Sequence, residues 1–465
     1  MQKQKPEQPG KGGKRVKKPV RTISGVTPLT VVLKPRKCNH GTCIYCPGGE
    51  YVPQSYTDKS PAVMRALALG FDPYEQVKNR LGVLHAMGHP TGKIELIVLG
   101  GTFLQYDLEY QHWFIKRCFD AMNGCDAKDL EEAKKINEAA LHRCVAMCIE
   151  NRPDNCSPDE IKRMLEFGAT RVEIGVQMPD DELYRKTNRG HTVKDVINAT
   201  KNLKNAGFKL GYHIMPGLPG SNPKKDIKLF KKIFSDSSFR PDQLKLYPCQ
   251  VVQDSPLAKI YKIIGFKPYT EKQTKEILKK MMALIPEYCR VMRMIREFPK
   301  EKMVLGIEKL DLRKDVEQEL RISGKKISEI RMREVGFNAK GLNENLKLKT
   351  IEYDASGGKE YFLEMINDDN ILFGLLRLRL TKGKEGKAMI RELHVYGQTL
   401  NLGKHEEDVS QHHGLGKWLM EEAEKIAKAQ KFRKIYVISG IGVREYYRNL
   451  GYKIEEPYMV KNLNN

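Results

Sequence analysis

Three cysteines stand close together in Lys37-Cys38-Asn39-His40-Gly41-Thr42-Cys43-Ile44-Tyr45-Cys46-Pro47-Gly48-Gly49, with the spacing C-x4-C-x2-C. Three thiolates in so short a span can wrap one metal centre, and cysteine ligands suit either zinc or an iron–sulfur cluster. Zinc would want a fourth ligand, which His40 could supply, whereas a three-cysteine cluster leaves one iron open. Spacing alone leaves both readings standing. The other seven cysteines, Cys118, Cys125, Cys144, Cys148, Cys156, Cys249 and Cys289, lie among apolar or helical stretches and read mostly as packing thiols. A chain that starts without an apolar signal segment argues against a disulfide framework.

A second constellation is Gln411-His412-His413-Gly414-Leu415-Gly416, a Q-x-x-G-x-G pattern between an upstream strand (390–397, IRELHVYG) and a helix. Glycines there let backbone N–H groups approach a pyrophosphate, and the helix adds its positive N-terminal end. His394, His412 and His413 read either as general bases or as solvent-exposed loop residues. Basic residues recur in Arg290, Arg293 and Arg296 and in Lys224, Lys225, Lys228, Lys231 and Lys232. Each group reads either as a phosphate-binding face or as a solvated helix face.

The elements that must position these groups follow from pattern. The chain has 465 residues, 40% of them hydrophobic, and a net charge of +23. That length suits two or three domains with real cores and excludes wholesale disorder. No stretch is long and apolar enough for a membrane-spanning helix, so a cytosolic protein with a polyanionic partner is expected. Residues 1–24 carry eight Lys/Arg against one Glu and read as a flexible basic arm. From 25 to 290 strands alternate with helices: strands at 93–101, 143–151, 171–177, 209–220 and 242–250, helices at 108–122, 158–168 and 193–207. Such alternation argues for a parallel sheet, open or closed into a barrel, with its chemistry at the C-terminal strand ends. Residues 270–335 read as helical and charged. Beyond 340 the pattern becomes strands at 346–354, 360–366, 371–380 and 387–396, helix 415–430, strand 434–439, helix 442–450 and strand 452–460. Residues 340–465 hold 21 basic and 18 acidic residues, a net +3, which leaves +20 in residues 1–339.

The cysteine segment in front of a parallel α/β pattern resembles the radical S-adenosylmethionine (SAM) enzymes, although their usual spacing is C-x3-C-x2-C. In that plan Cys38, Cys43 and Cys46 hold a [4Fe-4S] cluster whose open iron is chelated by SAM, and Gly100-Gly101-Thr102 receives the methionine amino group. The C-terminal order resembles the GNAT acetyltransferases. That resemblance implies that Glu392, Leu393, His394 and Val395 form the strand facing coenzyme A. Gln411, Gly414, Leu415, Gly416 and Lys417 would hold the pyrophosphate, and Tyr447, or its neighbour Tyr446, would lie at the sulfur. The fold class expected is therefore α/β: a radical SAM partial barrel over 25–290, a basic linker over 291–340 and a GNAT domain over 341–465.

One family joins both halves. CIYCPGG (43–49), VLGGTF (98–103), RPD (152–154), EIGVQ (173–177), TNRGHTVK (187–194), RELHVYG (391–397) and PYMVK (457–461) resemble the catalytic subunit of Elongator and its stand-alone relatives. The resemblance implies a tRNA uridine(34) acetyltransferase that uses SAM, a [4Fe-4S] cluster and acetyl-CoA to build a carboxymethyl group on C5 of the wobble uridine. A 5′-deoxyadenosyl radical would take hydrogen from the acetyl methyl, the carbon radical would add to C5, and thioester hydrolysis would follow. Lys135 would touch acetyl-CoA from the barrel side. Lys224, Lys225, Arg290, Arg293 and Arg296, with the arm, would grip tRNA, and partner subunits are conceivable. Where the family motif reads ETRPD this chain has ENRPD (150–154). Residues 300–340 lack cysteine, so no linker zinc site is expected. The alternative is a protein lysine (histone) acetyltransferase with a purely structural cluster.

Overall fold

The computed structural model describes residues 22, 24–296, 298–309, 311–338, 345–383, 386–396 and 414–463. The expected basic arm falls almost wholly outside them, as do Gln411, His412 and His413.

The first half is a seven-stranded sheet. Its strands are β1 (Thr27–Val32), β2 (Lys93–Leu99), β3 (Arg143–Asn151), β4 (Arg171–Gln177), β5 (Lys209–Ile214) and β6 (Gln243–Leu246), and then, beyond the short β7 (Val251–Val252), β8 (Arg290–Arg293). Their order is β1-β2-β3-β4-β5-β6-β8, and every neighbouring pair is parallel. β7 pairs instead with β9 (Met303–Leu305) in a two-stranded ribbon. Helices such as Leu108–Asn123, Pro158–Glu166, Val193–Asn205 and Pro223–Ser235 connect the strands. Their starts are written in the sequence: Ser157 with Glu160, and Thr192 with Asp195, each close a reciprocal capping box. β4 is buried at all seven positions, because helices cover one face and the barrel interior the other.

Three expectations need correction. β1 was not read as a strand; its six residues alternate buried and half-buried only up to Thr30 and include a proline. The stretch 270–335 is not continuously helical, since β8 and β9 interrupt it. β8 is the last barrel strand, so the barrel runs past the expected boundary at 290, and residues 312–322 and 330–333 fold as helices in the expected linker. The final expected strand over 452–460 is two strands, β15 (Lys453–Glu455) and β16 (Tyr458–Asn462), which turn back on each other at Glu456-Pro457. Proline offers no N–H to continue a ladder.

The second half is a sheet of β10 (Lys347–Ala355), β11 (Gly358–Ile366), β12 (Leu372–Leu380), β13 (Ala388–Val395), β14 (Lys434–Val437), β16 and β15 in that spatial order. All pairs are antiparallel except β13 with β14. Those two pair from Ala388–Ile435 only as far as Ile390–Val437, and β13 then runs on to Val395 paired with β12 alone. This splayed pair, followed in the chain by the helix Leu415–Ala429, is the arrangement expected of a GNAT domain. The register of β12 against β13 slips by one residue at Arg391, a bulge that re-aims its side chain.

Arg391 is the hub of the contact between the halves. It donates from Nη1 and Nη2 to Asp242 (2.8 Å each), from Nη2 and Nε to Glu360 (2.8 and 3.1 Å), and from Nη1 to the Phe208 carbonyl (2.9 Å). Lys204, Arg377 and Arg379 complete the buried array. Burial opposes ionisation of Glu360, yet Arg391, Lys204 and Arg379 hold it down at about 2. Gly440 packs against the Val145 carbonyl of β3 so closely that no side chain fits there. The C-terminal sheet is thus fixed at the N-terminal ends of the barrel strands.

Candidate active site

The cysteine loop leaves β1 at the C-terminal end of the barrel and is buttressed by two neighbouring segments. Arg189 donates to the Cys43 sulfur at 3.4 Å and, through its other terminal nitrogen, to the Gly175 carbonyl at 2.6 Å. The Ile44 N–H donates to the Thr187 carbonyl (3.1 Å), and Asn188 donates to the Thr42 carbonyl (3.0 Å). Arg152 is locked by Asp154 through two hydrogen bonds and points Nη1 at His40 Nε2, 3.1 Å away. The same imidazole nitrogen lies 3.4 Å from the Cys43 sulfur, so it stands between the guanidinium and the thiol. Gly190 lies so close to His40 that a Cβ there would come within 2.7 Å of the imidazole's own Cβ.

Burial works to raise the Cys43 thiol, but the Arg189 charge and His40 bring it down to about 6. Burial and the neighbouring Cys43 push Cys46 up to about 11. Cys38 reaches Thr102 Oγ1 at 3.8 Å, so the glycine turn Gly100-Gly101-Thr102 stands beside the loop as expected. Gly100 (φ 144°) needs its glycine, because a Cβ would meet Leu33 at 2.7 Å. Near the loop, the Tyr45 hydroxyl and Gln177 Oε1 are buried without a hydrogen-bond partner among the described residues. Gln177 also holds a left-handed backbone (φ 63°) at the end of β4.

The second end of the site is built by β13 and the helix Leu415–Ala429. Glu392, Leu393, His394 and Val395 line a cavity together with Gly414, Gly416, Lys417, Tyr446 and Tyr447. Gly414 (φ 107°) opens the helix, and a Cβ on Gly416 would lie 2.8 Å from the Tyr446 hydroxyl. Tyr446 therefore presents its hydroxyl to the glycine turn, while Tyr447 is 6% exposed with its ring 5.2 Å from that of Tyr446. Leu415 is buried and outside the cavity lining, so only its backbone could serve a ligand. Lys135 is exposed on the helix Leu130–Asn137 and is not among the lining residues; its neighbour Lys134 is buried and donates to the Glu166 carbonyl.

Between the two ends lies a polar array. Glu150 accepts from the Tyr56 hydroxyl (2.9 Å), and Glu173 bonds to His213 Nε2 (2.9 Å). Lys245 pairs with both carboxylates. Glu173 is fully buried, yet Lys245 and Arg171 hold it well below the ordinary carboxylate range. Glu150, Glu173 and His213 could in principle share a cation, but the Lys245 ammonium already occupies that position. Glu150 and His213 stand near the C-terminal strand ends where the sequence places the barrel's chemistry, and Glu173 falls in EIGVQ. Arg290, Arg293 and Arg296 line the same cavity, with Arg293 exposed to solvent. Arg290 is paired with Glu334, and Arg296 stacks over Tyr56 and Phe298. Lys224 is exposed, whereas Lys225 is paired with Asp180 and Glu182.

The sequence pattern of the Radical SAM superfamily matches residues 32–233, and that of the Radical_SAM C-terminal domain matches residues 241–321. The tRNA uridine(34) acetyltransferase of Methanocaldococcus jannaschii is 49% identical over 468 residues, covering 96% of this chain and 86% of that protein. The chain belongs to the family of tRNA uridine(34) acetyltransferases and Elongator complex protein 3. Elongator complex protein 3 of Schizosaccharomyces pombe is 40% identical over 96% of this chain and 86% of its own length. The solved archaeal Elp3 of Methanocaldococcus infernus, with an N-terminal deletion, superposes with a TM-score of 0.83 at 42% identity, covering 95% of this chain and all of that one. The family works with a [4Fe-4S] cluster, SAM and acetyl-CoA. The donor set fits such a cluster: three thiols on one loop, one of them lowered by Arg189 and His40, beside the Gly100-Gly101-Thr102 turn. No helix among the described residues is long and apolar enough to cross a membrane.

Proposed function

We propose that this chain is a tRNA uridine(34) acetyltransferase that builds a carboxymethyl group on the wobble uridine, and that its two half-sites work as one. The observation that carries this is a single cavity of about 1000 Å³ lined both by Tyr45 and Cys46 of the cysteine loop and by β13, Gly416 and Tyr446 of the C-terminal half. A GNAT unit serving protein lysines would have no use for such continuity.

Cys38, Cys43 and Cys46 would hold the cluster, and Gly100, Gly101 and Thr102 the methionine end of SAM. When bound, these groups supply a 5′-deoxyadenosyl radical able to take hydrogen from the acetyl methyl. The residues around them do the rest of the work. Arg189 and Arg152 set the loop and keep positive charge beside the thiolates. Gly414, Gly416 and Lys417 offer N–H groups and a cation to a pyrophosphate, with Gln411, outside the described residues, as a further contact. Glu392 to Val395 present the strand edge along which pantetheine would lie. Tyr446, whose hydroxyl faces the glycine turn, takes the position nearest the pyrophosphate, and Tyr447 stands behind it. Arg293 and Arg296 meet a splayed anticodon nucleotide at the cavity, while Lys224 and the N-terminal arm add phosphate contacts outside. Lys225 contributes less, since two carboxylates already neutralise it.

The test is anaerobic reconstitution with iron and sulfide, SAM, acetyl-CoA and tRNA transcripts. Carboxymethyluridine at position 34, lost in Cys38→Ala, Cys43→Ala and Cys46→Ala, is the expected result. Acetylation of a histone peptide faster than tRNA modification would overturn it.

A further inference from the structure

The interior of a parallel barrel is ordinarily filled by interdigitating apolar layers. Here it is polar and open. Inward positions read Lys93 and Glu95 on β2, Arg171 and Glu173 on β4, and Gln243 and Lys245 on β6, and all line the one cavity. On β5 the corresponding wall is Gly211, where a Cβ would come within 3.0 Å of the Glu173 side chain. Arg171 reaches across from β4 to Glu95 on β2 (3.1 Å), past the intervening β3, and also lies 3.7 Å from Glu173.

The two ends of this lumen are chemically different. The cysteine loop follows the C-terminal end of β1. The C-terminal sheet sits at the opposite ends: Glu392 pairs with Lys209, the first residue of β5, and the Tyr396 hydroxyl accepts from Arg290, the first residue of β8. The depth between them is that of the sheet, ~20 Å for seven residues of β2 at ~3.3 Å each. An acetyl group tethered to a nucleotide at Gly414–Gly416 must cover that depth without leaving its carrier. Two buried polar atoms along the way, Arg171 Nε and His394 Nε2, have no hydrogen-bond partner among the described residues.

Resting on the reaction proposed above, we infer that the barrel lumen is the binding channel of the acyl-pantetheine arm. The arm enters from the β13 cleft and passes the Arg171–Glu95 bridge to bring the acetyl methyl beneath the cysteine loop. A slim unbranched chain with two amides and a terminal thioester suits this passage. The amide carbonyls accept from Arg171 Nε and His394 Nε2, while the broader nucleotide stays at the glycine turn.

Thr30 faces the lumen on β1 opposite Ile97, with no side-chain hydrogen bond among the described residues, so Thr30→Cys places a reporter thiol at mid-depth. The full-length, cluster-reconstituted variant is treated with methyl methanethiosulfonate and labelling of that peptide is followed by mass spectrometry. Saturating acetyl-CoA should slow labelling by about ten-fold or more, as mass action requires of an occupied site, and 3′-phospho-ADP, which lacks the arm, should not. Thr30→Trp, checked for wild-type iron content and unfolding midpoint, should lose carboxymethyluridine formation. Unprotected Thr30→Cys in a protein that binds acetyl-CoA, protection by 3′-phospho-ADP alone, or full modification activity in Thr30→Trp would each overturn the channel. If the wild-type protein makes no carboxymethyluridine, the proposed reaction itself fails, whatever the labelling shows.

Discussion

Arg391 offers the sharpest test of how the halves are held together. Replacing it with methionine keeps most of the side-chain volume but removes the guanidinium and its hydrogen bonds to Asp242, Glu360 and the Phe208 carbonyl. Asp242 would retain Lys204 at 3.2 Å and Arg377 at 3.6 Å, and Glu360 would retain Arg379 at 2.9 Å. All these groups are essentially inaccessible to solvent, so water cannot replace what is lost. Removing one partner from a buried ionic array costs about 3–5 kcal/mol. Against a typical total of ~5–15 kcal/mol, that is a large fraction of the stability. Guanidinium unfolding followed by tryptophan fluorescence should show a midpoint lowered accordingly for Arg391→Met. Asp242→Asn should behave similarly, and the double variant should cost clearly less than the sum, because the two single changes break one shared array. A loss below ~1 kcal/mol for Arg391→Met, or strict additivity of the pair, would refute the view that this array fixes the C-terminal sheet to the barrel.

Further outcomes follow from single positions. Gly440→Ala should destabilise by about 1–3 kcal/mol or more, read by thermal unfolding, since its Cβ has no room beside the Val145 carbonyl of β3. Burial lowers His394 from its ordinary value to about 4. The unfolded chain therefore binds the extra proton between about pH 6.5 and 4, and stability should fall as pH drops through that window. His394→Gln should flatten this part of the stability–pH curve, measured by unfolding midpoints at stepped pH. Tyr446→Phe should weaken acetyl-CoA binding by about ten-fold, roughly one hydrogen bond's worth, in calorimetry, whereas Tyr447→Phe should leave it within about two-fold.

The sequence carried the architecture far because each half advertises itself by period and punctuation. Ser157, Thr192 and the Gly100-Gly101 turn mark boundaries that the structure keeps. β8 and β9 escaped because strands of four and three residues inside a charged stretch leave no period to read. The cysteine loop was legible as a metal site, but its supports were not. Arg152 and Arg189 act from segments 112 and 146 residues away from the groups they touch, and only folding brings them there. Glu150 and His213 were legible as strand-end residues, but their meeting with Glu173 and Lys245, from inward positions on four different strands or strand ends, comes only with folding. The surroundings of the basic clusters were not legible: Arg290, Arg293 and Arg296 line the cavity, Lys224 is exposed and Lys225 is already paired. Part of the positive charge of residues 1–339 lines the cavity, through Lys93, Arg171, Lys245, Arg290, Arg293 and Arg296.

The account's central claim is that one cavity serves both half-sites in a single reaction on tRNA. It is tested most directly by incubating the reconstituted protein with tRNA, SAM and acetyl-CoA carrying a trideuterated methyl group, then analysing 5′-deoxyadenosine and the modified nucleoside by mass spectrometry. The account predicts deuterium in 5′-deoxyadenosine together with carboxymethyluridine that has lost one deuterium from its new methylene carbon. Carboxymethyluridine formed with 5′-deoxyadenosine free of deuterium, or deuterated acetyl-lysine as the main product, would contradict it.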